Sequence, residues 1–181
     1  IIFLAYLTST AQLSAQDQAP SKDRLKLQTW SQLYIADIDG KNPKRLFPES
    51  TSRAEGSPSF SENGQLMIFS GFNAEQKERA TSSNVYLVDL ESGEETELCK
   101  GLNPSLSPRG KRFFYSRYDD RGVWVANVDN PEETATKLDP KGWGTAWSPD
   151  GKKLAWATYS NSYNLKILDI IEGDEWIVFE G

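Results

Sequence analysis

A short phrase is written three times along this chain, and it constrains the possible folds more than any other feature. The copies read SFSENGQLMIFS, SLSPRGKRFFYS and AWSPDGKKLAWA, and they begin at Ser59, Ser105 and Ala146. Each copy places a turn between two apolar runs, and a third apolar run follows: NVYLVDL, GVWVANV and NLKILDI. The turn glycines are 46 and 41 residues apart. Repeats of this length with several short strands each indicate an array of similar units.

The turn in each copy is predicted to be architectural. Serine suits the first position of a β-turn, proline presets the backbone of the second, and glycine at the fourth allows a positive φ. Asp150 is replaced by Asn63 and Arg109 in the other two copies, which argues against a catalytic role for this acid. The predicted structural turn residues are Ser61, Gly64, Ser107, Gly110, Ser148, Pro149, Asp150 and Gly151.

The repeat predicts an all-β fold, a β-propeller of four-stranded antiparallel blades over residues 24–181. Three complete blades are predicted over about residues 57–98, 103–138 and 144–180, with short innermost strands. A partial N-terminal blade is predicted over residues 24–50, where LYIADI is the third strand and RLKLQTW a possible second strand. Because propellers usually have about four to eight blades, we expect an unclosed ring and a sequence that is a fragment of a longer protein.

The first residues of the chain have the composition of a secretory signal peptide. IIFLAYLTSTAQLSA is apolar and uncharged, has small residues near its end and is too short to span a membrane. Residues 1–15 are therefore predicted to be part of a signal peptide and residues 16–23 a linker. This prediction places the mature protein in the periplasm or outside the cell. A buried N-terminal strand is the alternative for the same residues.

The residues that the chain lacks narrow its chemistry. It contains no histidine, so it cannot build a Ser-His-Asp or Cys-His system or an imidazole metal site. Neither a Gly-x-Ser-x-Gly elbow nor a phosphate-binding loop is present. The acidic clusters lack the spacing of a calcium loop, and the single cysteine, Cys99, is expected to be a small residue at the end of a strand. We therefore expect no catalysis by these residues and no cofactor.

Two kinds of loop are predicted to form the partner-binding surface: those that join second to third strands and those that join one blade to the next. Both kinds emerge on the same face of a propeller. They contain arginine, tyrosine and tryptophan, which dominate binding hot spots. The net charge of −6 argues against nucleic acid as a partner. The candidate partner-binding residues are Arg53, Glu55, Phe72, Arg117, Tyr118, Asp119, Trp143 and Tyr159.

The phrases WSPDGKKLAW and NPSLSPRGKRFFYS, followed by YLVDL and ILDI, resemble the TolB-type propeller repeat, which is also described as a WD-repeat-like Ser-Pro-Asp-Gly repeat. The resemblance covers about residues 31–181. It implies an exported bacterial propeller that works by protein contact in the cell envelope. One departure is that TolB has an α/β domain between its signal and its propeller, and the space before the first strand pattern here is too short for one.

Three functions are consistent with this sequence. The first is a protein-binding scaffold in the bacterial cell envelope, without catalysis, whose partners are envelope proteins. The second is the substrate-gating propeller of a serine peptidase that resembles prolyl oligopeptidase, with its catalytic domain downstream and a peptide as substrate. The third is a carbohydrate-active enzyme that uses acids in the propeller channel. A Gly-x-Ser-x-Gly motif in a longer sequence would distinguish the second function from the first.

Overall fold

The computed structural model of the chain describes residues 3–8, 31–50, 52–73, 81–159 and 162–180. These residues form four antiparallel sheets, and in each sheet the order of the strands is their order in the sequence. Three sheets have four strands and the N-terminal one has three, so the predicted all-β fold of blades is confirmed. The sheets do not close a ring within the described residues.

The strands are distributed over the blades as follows. The partial blade contains β1 (Phe3–Thr8), β2 (Ser31–Ala36) and β3 (Lys44–Arg45). Blade one contains β4 (Arg53–Phe60), β5 (Leu66–Asn73), β6 (Asn84–Asp89) and β7 (Glu95–Lys100). Blade two contains β8 (Leu102–Leu106), β9 (Arg112–Arg117), β10 (Gly122–Asn127), α1 (Pro131–Thr134) and β11 (Thr136–Asp139). Blade three contains β12 (Gly142–Trp147), β13 (Lys153–Tyr159), β14 (Tyr163–Asp169) and β15 (Glu175–Glu180).

The innermost strands β4, β8 and β12 are longer than the sequence predicts, because each contains a bulge. The register to the second strand of the blade shifts at each bulge. Ser57, Asn103 and Gly144 occupy the same position in the three repeats, and their φ angles are 51°, 48° and 66°. A bulge interrupts the alternation of inward and outward side chains on which strand prediction depends. The predicted strands therefore began only after the bulge.

The serine that persists in all three copies of the turn holds the turn closed. The side-chain oxygens of Ser61, Ser107 and Ser148 accept the backbone N–H of the residue five positions later, at 3.0, 3.0 and 2.8 Å. The glycines at the ends of these turns have φ angles of 71°, 70° and 73°, which residues with a side chain rarely adopt. The geometry therefore requires the hydroxyl and the glycine, whereas the two positions between them accept other residues.

The hydrophobic core lies between neighbouring sheets, as three clusters in sequence. Leu33 of the partial blade packs with Met67, Phe69 and Val88 of blade one. Ile68, Val85 and Leu98 of blade one pack with Leu106, Phe113, Tyr115 and Ala126 of blade two. Phe114, Val123 and Val125 of blade two pack with Leu154 and Trp156 of blade three. Each blade is thus stabilised by burial of its apolar faces against the next blade rather than by a core of its own.

A repeated side-chain hydrogen bond joins the innermost strands of neighbouring blades. Ser59 Oγ accepts the N–H of Leu106 at 3.0 Å, and Ser105 Oγ accepts the N–H of Trp147 at 2.8 Å. Both serines stand two positions before the turn serine, and the third copy has Ala146 at that position. The same device therefore links blade one to blade two and blade two to blade three.

Ser105→Ala is expected to destabilise the protein by about 1–2 kcal/mol, because the N–H of Trp147 then lacks its acceptor at the junction of two blades. Urea unfolding of the two proteins, followed by circular dichroism, measures the difference. Ser92→Ala is the control: it removes a hydroxyl that accepts the N–H of Glu94 at 3.2 Å in an exposed turn, where water can replace it, and is expected to cost less than about 0.5 kcal/mol. Equal losses in the two variants would contradict a stabilising role for the hydrogen bond between blades.

The N-terminal residues form the first strand of the partial blade. Strand β1 pairs antiparallel with β2, with Phe3 opposite Ala36 and Thr8 opposite Ser31. The sequence left a buried N-terminal strand open as the alternative for residues 1–15. Strand β1 is compatible with that alternative in a chain from which these residues are not removed. Export and removal of these residues stay predictions. The predicted linker and the predicted second strand of the partial blade lie outside the described residues.

Candidate functional site

The blades have two different ends. At the loop face, second strands lead into third strands and one blade leads into the next, and the opposite end is the turn face. Six of the eight candidate partner-binding residues lie in strands rather than in the predicted loops, because the strands extend further towards the loop face than expected. Arg53 and Glu55 lie in β4, Phe72 in β5, Arg117 in β9, Trp143 in β12 and Tyr159 in β13, while Tyr118 and Asp119 lie between β9 and β10.

Arg53 and Glu55 lie in a cluster of side chains between the partial blade and blade one. The Arg53 guanidinium makes two hydrogen bonds to Glu95 and lies 4.7 Å from the centre of the Tyr86 ring. Glu55 is fully buried, and its Oε2 accepts the N–H of Leu33 at 3.1 Å. Burial raises the pKa of Glu55, and this effect exceeds the opposing effect of that hydrogen bond. These contacts favour a structural role for both residues.

Three of the other six candidates lie together where blades two and three meet. A cleft of about 450 Å³ opens there on the loop face, a size in the usual range for binding pockets. It contains three of the predicted residues, Tyr118, Trp143 and Tyr159, together with Arg121, Lys141 and Tyr163. Phe72 lies elsewhere, in β5 opposite Ala54 of β4.

Four aromatic rings form the walls of this cleft. Tyr118 and Trp143 meet edge to face, with ring centres 5.1 Å apart and an angle of 83° between the planes. Tyr159 and Tyr163 lie 5.0 Å apart on the blade-three side. The exposed fractions of Tyr118, Tyr159 and Tyr163 are 44%, 55% and 69%. Large rings that stay this exposed beside a concave surface are typical of binding sites rather than of a core.

The acidic groups near the cleft already have basic partners. Arg117 binds Asp119 through two hydrogen bonds of 3.0 and 2.8 Å, which hold the pKa of that carboxyl at about 2. Asp120 forms a salt bridge with Lys137. Arg117 and Asp119, two of the residues predicted to contact a partner, thus form an ion pair with each other.

Two basic side chains remain at the cleft. Arg121 and Lys141 are exposed, and neither forms a salt bridge within the described part of the chain. The chain as a whole carries a net charge of −6. The cleft is therefore a positively charged, aromatic surface on an acidic protein.

Trp156 and Asp139 form a buried floor beneath the residues that line the cleft. The Trp156 side chain is buried, and its Nε1 donates to Asp139 Oδ2 at 2.9 Å. Asp139 Oδ1 accepts the N–H of Lys141 at 2.8 Å, so the same carboxylate positions the backbone at the cleft wall. Burial acts to raise the pKa of Asp139, but the hydrogen bonds and the nearby Lys166 hold it below its ordinary value.

Sequence reasoning did not select Arg121, Lys141 or Tyr163. Arg121 and Lys141 lie in the two kinds of connection that were predicted to bind a partner, but nothing in the sequence shows which charges are paired. In the run Asp119-Asp120-Arg121, only the structure shows that both acids already have partners. Tyr163 begins β14, one position after the end of the predicted loop, residues 158–162.

The thiol of Cys99 lies in a partly buried environment. It is a free cysteine at the end of blade one, and burial raises the pKa of its thiol to about 12, so the reactive thiolate is not formed at neutral pH. No group of three or more cysteine, aspartate or glutamate residues in the described ranges is arranged to hold a metal ion.

No protein family profile and no curated protein matches this sequence. Solved structures match its fold. A TolB protein from Agrobacterium tumefaciens superposes with a TM-score of 0.66 and 19% identity, over 87% of this chain and 59% of that one. A prolyl endopeptidase superposes with a TM-score of 0.62 and 18% identity, over 84% and 26%. An oligogalacturonate lyase from Vibrio parahaemolyticus does so with a TM-score of 0.60 and 13% identity, over 82% and 47%.

These matches define the chain as a β-propeller protein whose structural neighbours include TolB. They establish the fold alone, because their identities are low and their activities differ. The chain spans 59% of the length of the TolB protein and a smaller share of the two enzymes. Among the described residues, no helix has the length and apolar character needed to cross a membrane.

Proposed function

We propose that the chain belongs to an exported bacterial β-propeller that acts as a protein-binding scaffold in the cell envelope, and that the cleft between blades two and three contacts the partner. The single observation that carries the proposal is the group of exposed rings at this cleft, Tyr118, Tyr159 and Tyr163, beside Trp143. Tyrosine, tryptophan and arginine are the residues that contribute most to protein interfaces. The signal-peptide pattern and the structural likeness to TolB support the envelope location.

The rigidity of the surrounding blades supports binding rather than turnover. Trp143, Tyr159 and Tyr163 stand on strands of blade three, and the core between blades two and three fixes this blade, so the backbone of this side of the cleft is ordered before a partner arrives. A surface that is already ordered loses less conformational entropy on binding. The acids beside it are engaged by Arg117 and Lys137, which leaves them poorly suited to general acid or base catalysis.

Site-specific photo-cross-linking tests this proposal. A benzophenone amino acid replaces Tyr159 in the full-length protein, expressed in its bacterial host, and irradiation is expected to attach one envelope protein. The control position is Ile38, which is exposed to a similar degree (65%) in a turn on the turn face. Cross-links from position 159 and none from position 38 would support the proposal. The same products from both positions, or none from position 159, would reject it.

A propeller that precedes a peptidase domain is the second candidate, and the superposition on a prolyl endopeptidase favours it. In that case the full-length sequence contains a Gly-x-Ser-x-Gly motif followed by aspartate and histidine. The full-length protein then also cleaves peptide substrates and reacts with a fluorophosphonate probe. A full-length sequence without these residues would reject this second function.

A further inference from the structure

The cleft between blades two and three has a charge opposite to that of the protein around it. Arg121 and Lys141 line it. The three acids nearest in sequence are all engaged: Asp119 by Arg117, Asp120 by Lys137, and Asp139 by Trp156 and by Lys166, which also binds Glu175 at 2.7 Å. The described lining of the cleft therefore carries two basic side chains and no carboxylate, although the net charge of the chain is −6. A concave surface of one charge attracts groups of the opposite charge.

We infer that this cleft binds an acidic peptide segment of the partner, with Arg121 and Lys141 contacting its carboxylates and Tyr118 and Tyr159 packing against its apolar side chains. The inference rests on the proposed function, since it specifies the chemistry of the same partner. Arginine suits the first role because its guanidinium can bind a carboxylate through two parallel hydrogen bonds. The tyrosines suit the second because each offers a large apolar ring and a hydroxyl that can donate or accept.

Two other anionic ligands fit the surface less well. Nucleic acid needs several phosphate contacts along an extended basic groove, and the cleft supplies only Arg121 and Lys141. An acidic sugar needs ring faces on which it can stack. Here Tyr118 meets Trp143 edge to face at 83°, and Tyr159 is tilted by 55° against Tyr163, so the rings do not form a flat platform. A peptide chain, with side chains of different shapes, suits these walls better.

The test is a selection from random dodecapeptides displayed on phage, against the protein immobilised through its N-terminus. We expect the bound peptides to be enriched in aspartate and glutamate at least about twofold over the starting library. Fluorescence anisotropy then measures the affinity of the most enriched peptide, which is expected to fall as salt rises, because salt screens exposed charges. Replacement of its acids by asparagine and glutamine is expected to weaken binding by at least about tenfold.

A pair of double variants provides the matched control. R121A/K141A removes both charges of the cleft and is expected to weaken the selected peptide by at least about tenfold. R109A/K152A removes the same two charges from exposed positions on the turn face and is expected to change the affinity by less than about twofold. All four side chains are exposed, so both variants are expected to melt at the temperature of the unaltered protein.

Other results would overturn the inference. Selected peptides that are neutral or basic, or acidic peptides that bind R121A/K141A as tightly as the unaltered protein, would exclude recognition by these charges. No selected peptide together with tight binding of hexagalacturonate would assign the cleft to an acidic sugar. The two experiments distinguish failure of this inference from failure of the proposed function. A cross-link from position 159 without a preference for acidic peptides rejects only the inference. Acidic peptides without any cross-link reject the envelope scaffold and leave the binding chemistry of the cleft standing.

Discussion

Gly122→Ala is expected to destabilise the protein by at least about 3 kcal/mol, a large part of the stability of an ordinary domain. Gly122 begins β10 with a φ of 134°, a conformation that residues with a side chain rarely adopt. An added Cβ would also collide with the carbonyl oxygen of Asp139 and lie 2.9 Å from Cα of Pro140. Both obstacles are backbone atoms, so no side-chain rotation relieves the clash. Urea unfolding and thermal melting measure the loss.

Gly93→Ala is the control for the cost of a side chain at a positive φ without a collision. Gly93 also has a positive φ, of 75°, but an added Cβ would meet nothing within 4 Å. This control is therefore expected to cost only about 1–2 kcal/mol, the ordinary penalty of a left-handed residue. A similar loss in both variants would show that the close approach of the two connections at Gly122 contributes nothing to stability.

The close approach of two connections at Gly122 also explains how the cleft is built. The connection that carries Tyr118 and Arg121 leads directly into Gly122. The connection that carries Lys141 leaves from Asp139 and Pro140 and leads into β12, which contains Trp143. Because Gly122 has no side chain, these two connections can touch. The two walls of the cleft are thus brought together by one residue that the repeat does not require.

The architecture could be predicted from the sequence because the repeat is a local signal. Turn serines bond to an N–H five residues later, and turn glycines adopt positive φ angles, whatever the rest of the chain does. The third strands end at Asp89 and Asp169 for an equally local reason, since each carboxylate accepts backbone N–H groups of the turn that follows. Local geometry of this kind leaves a pattern in the sequence.

The candidate site was only partly predictable, because its composition depends on contacts between distant residues. Tyr118, Trp143 and Tyr159 were selected by residue type and by the loop face, and the structure brings them into one cleft. Arg53 and Glu55 met the same criteria, but Glu95 binds Arg53 and the N–H of Leu33 binds Glu55. Whether a charged residue in such a position is free or paired is decided by the neighbouring blade. The sequence of a single repeat does not contain that information.

Trp156→Phe, at the floor of the cleft, is expected to destabilise the protein strongly. The indole is 1% exposed, packs edge to face on Phe114 with ring centres 5.8 Å apart, and donates to Asp139. Phenylalanine leaves a gap in the core between blades two and three and removes a donor from a buried carboxylate. Together these losses are expected to cost about 3 kcal/mol at pH 7. Trp176→Phe, at a ring that is 40% exposed, is the matched control and is expected to cost less than about 0.5 kcal/mol.

The pH dependence of this variant distinguishes the lost hydrogen bond from the lost packing. The pKa of Asp139 lies below its ordinary value in the folded protein, so its carboxylate stabilises the fold above about pH 4, and this contribution is lost as the pH falls through the folded pKa. Without the indole N–H, the pKa of Asp139 is less depressed and the variant has less of this contribution to lose. The difference in unfolding free energy between the unaltered protein and Trp156→Phe is therefore expected to narrow as the pH falls from 7 towards about 3. A difference that stays constant over this range would assign the whole effect to packing and leave Asp139 no part in holding the floor of the cleft.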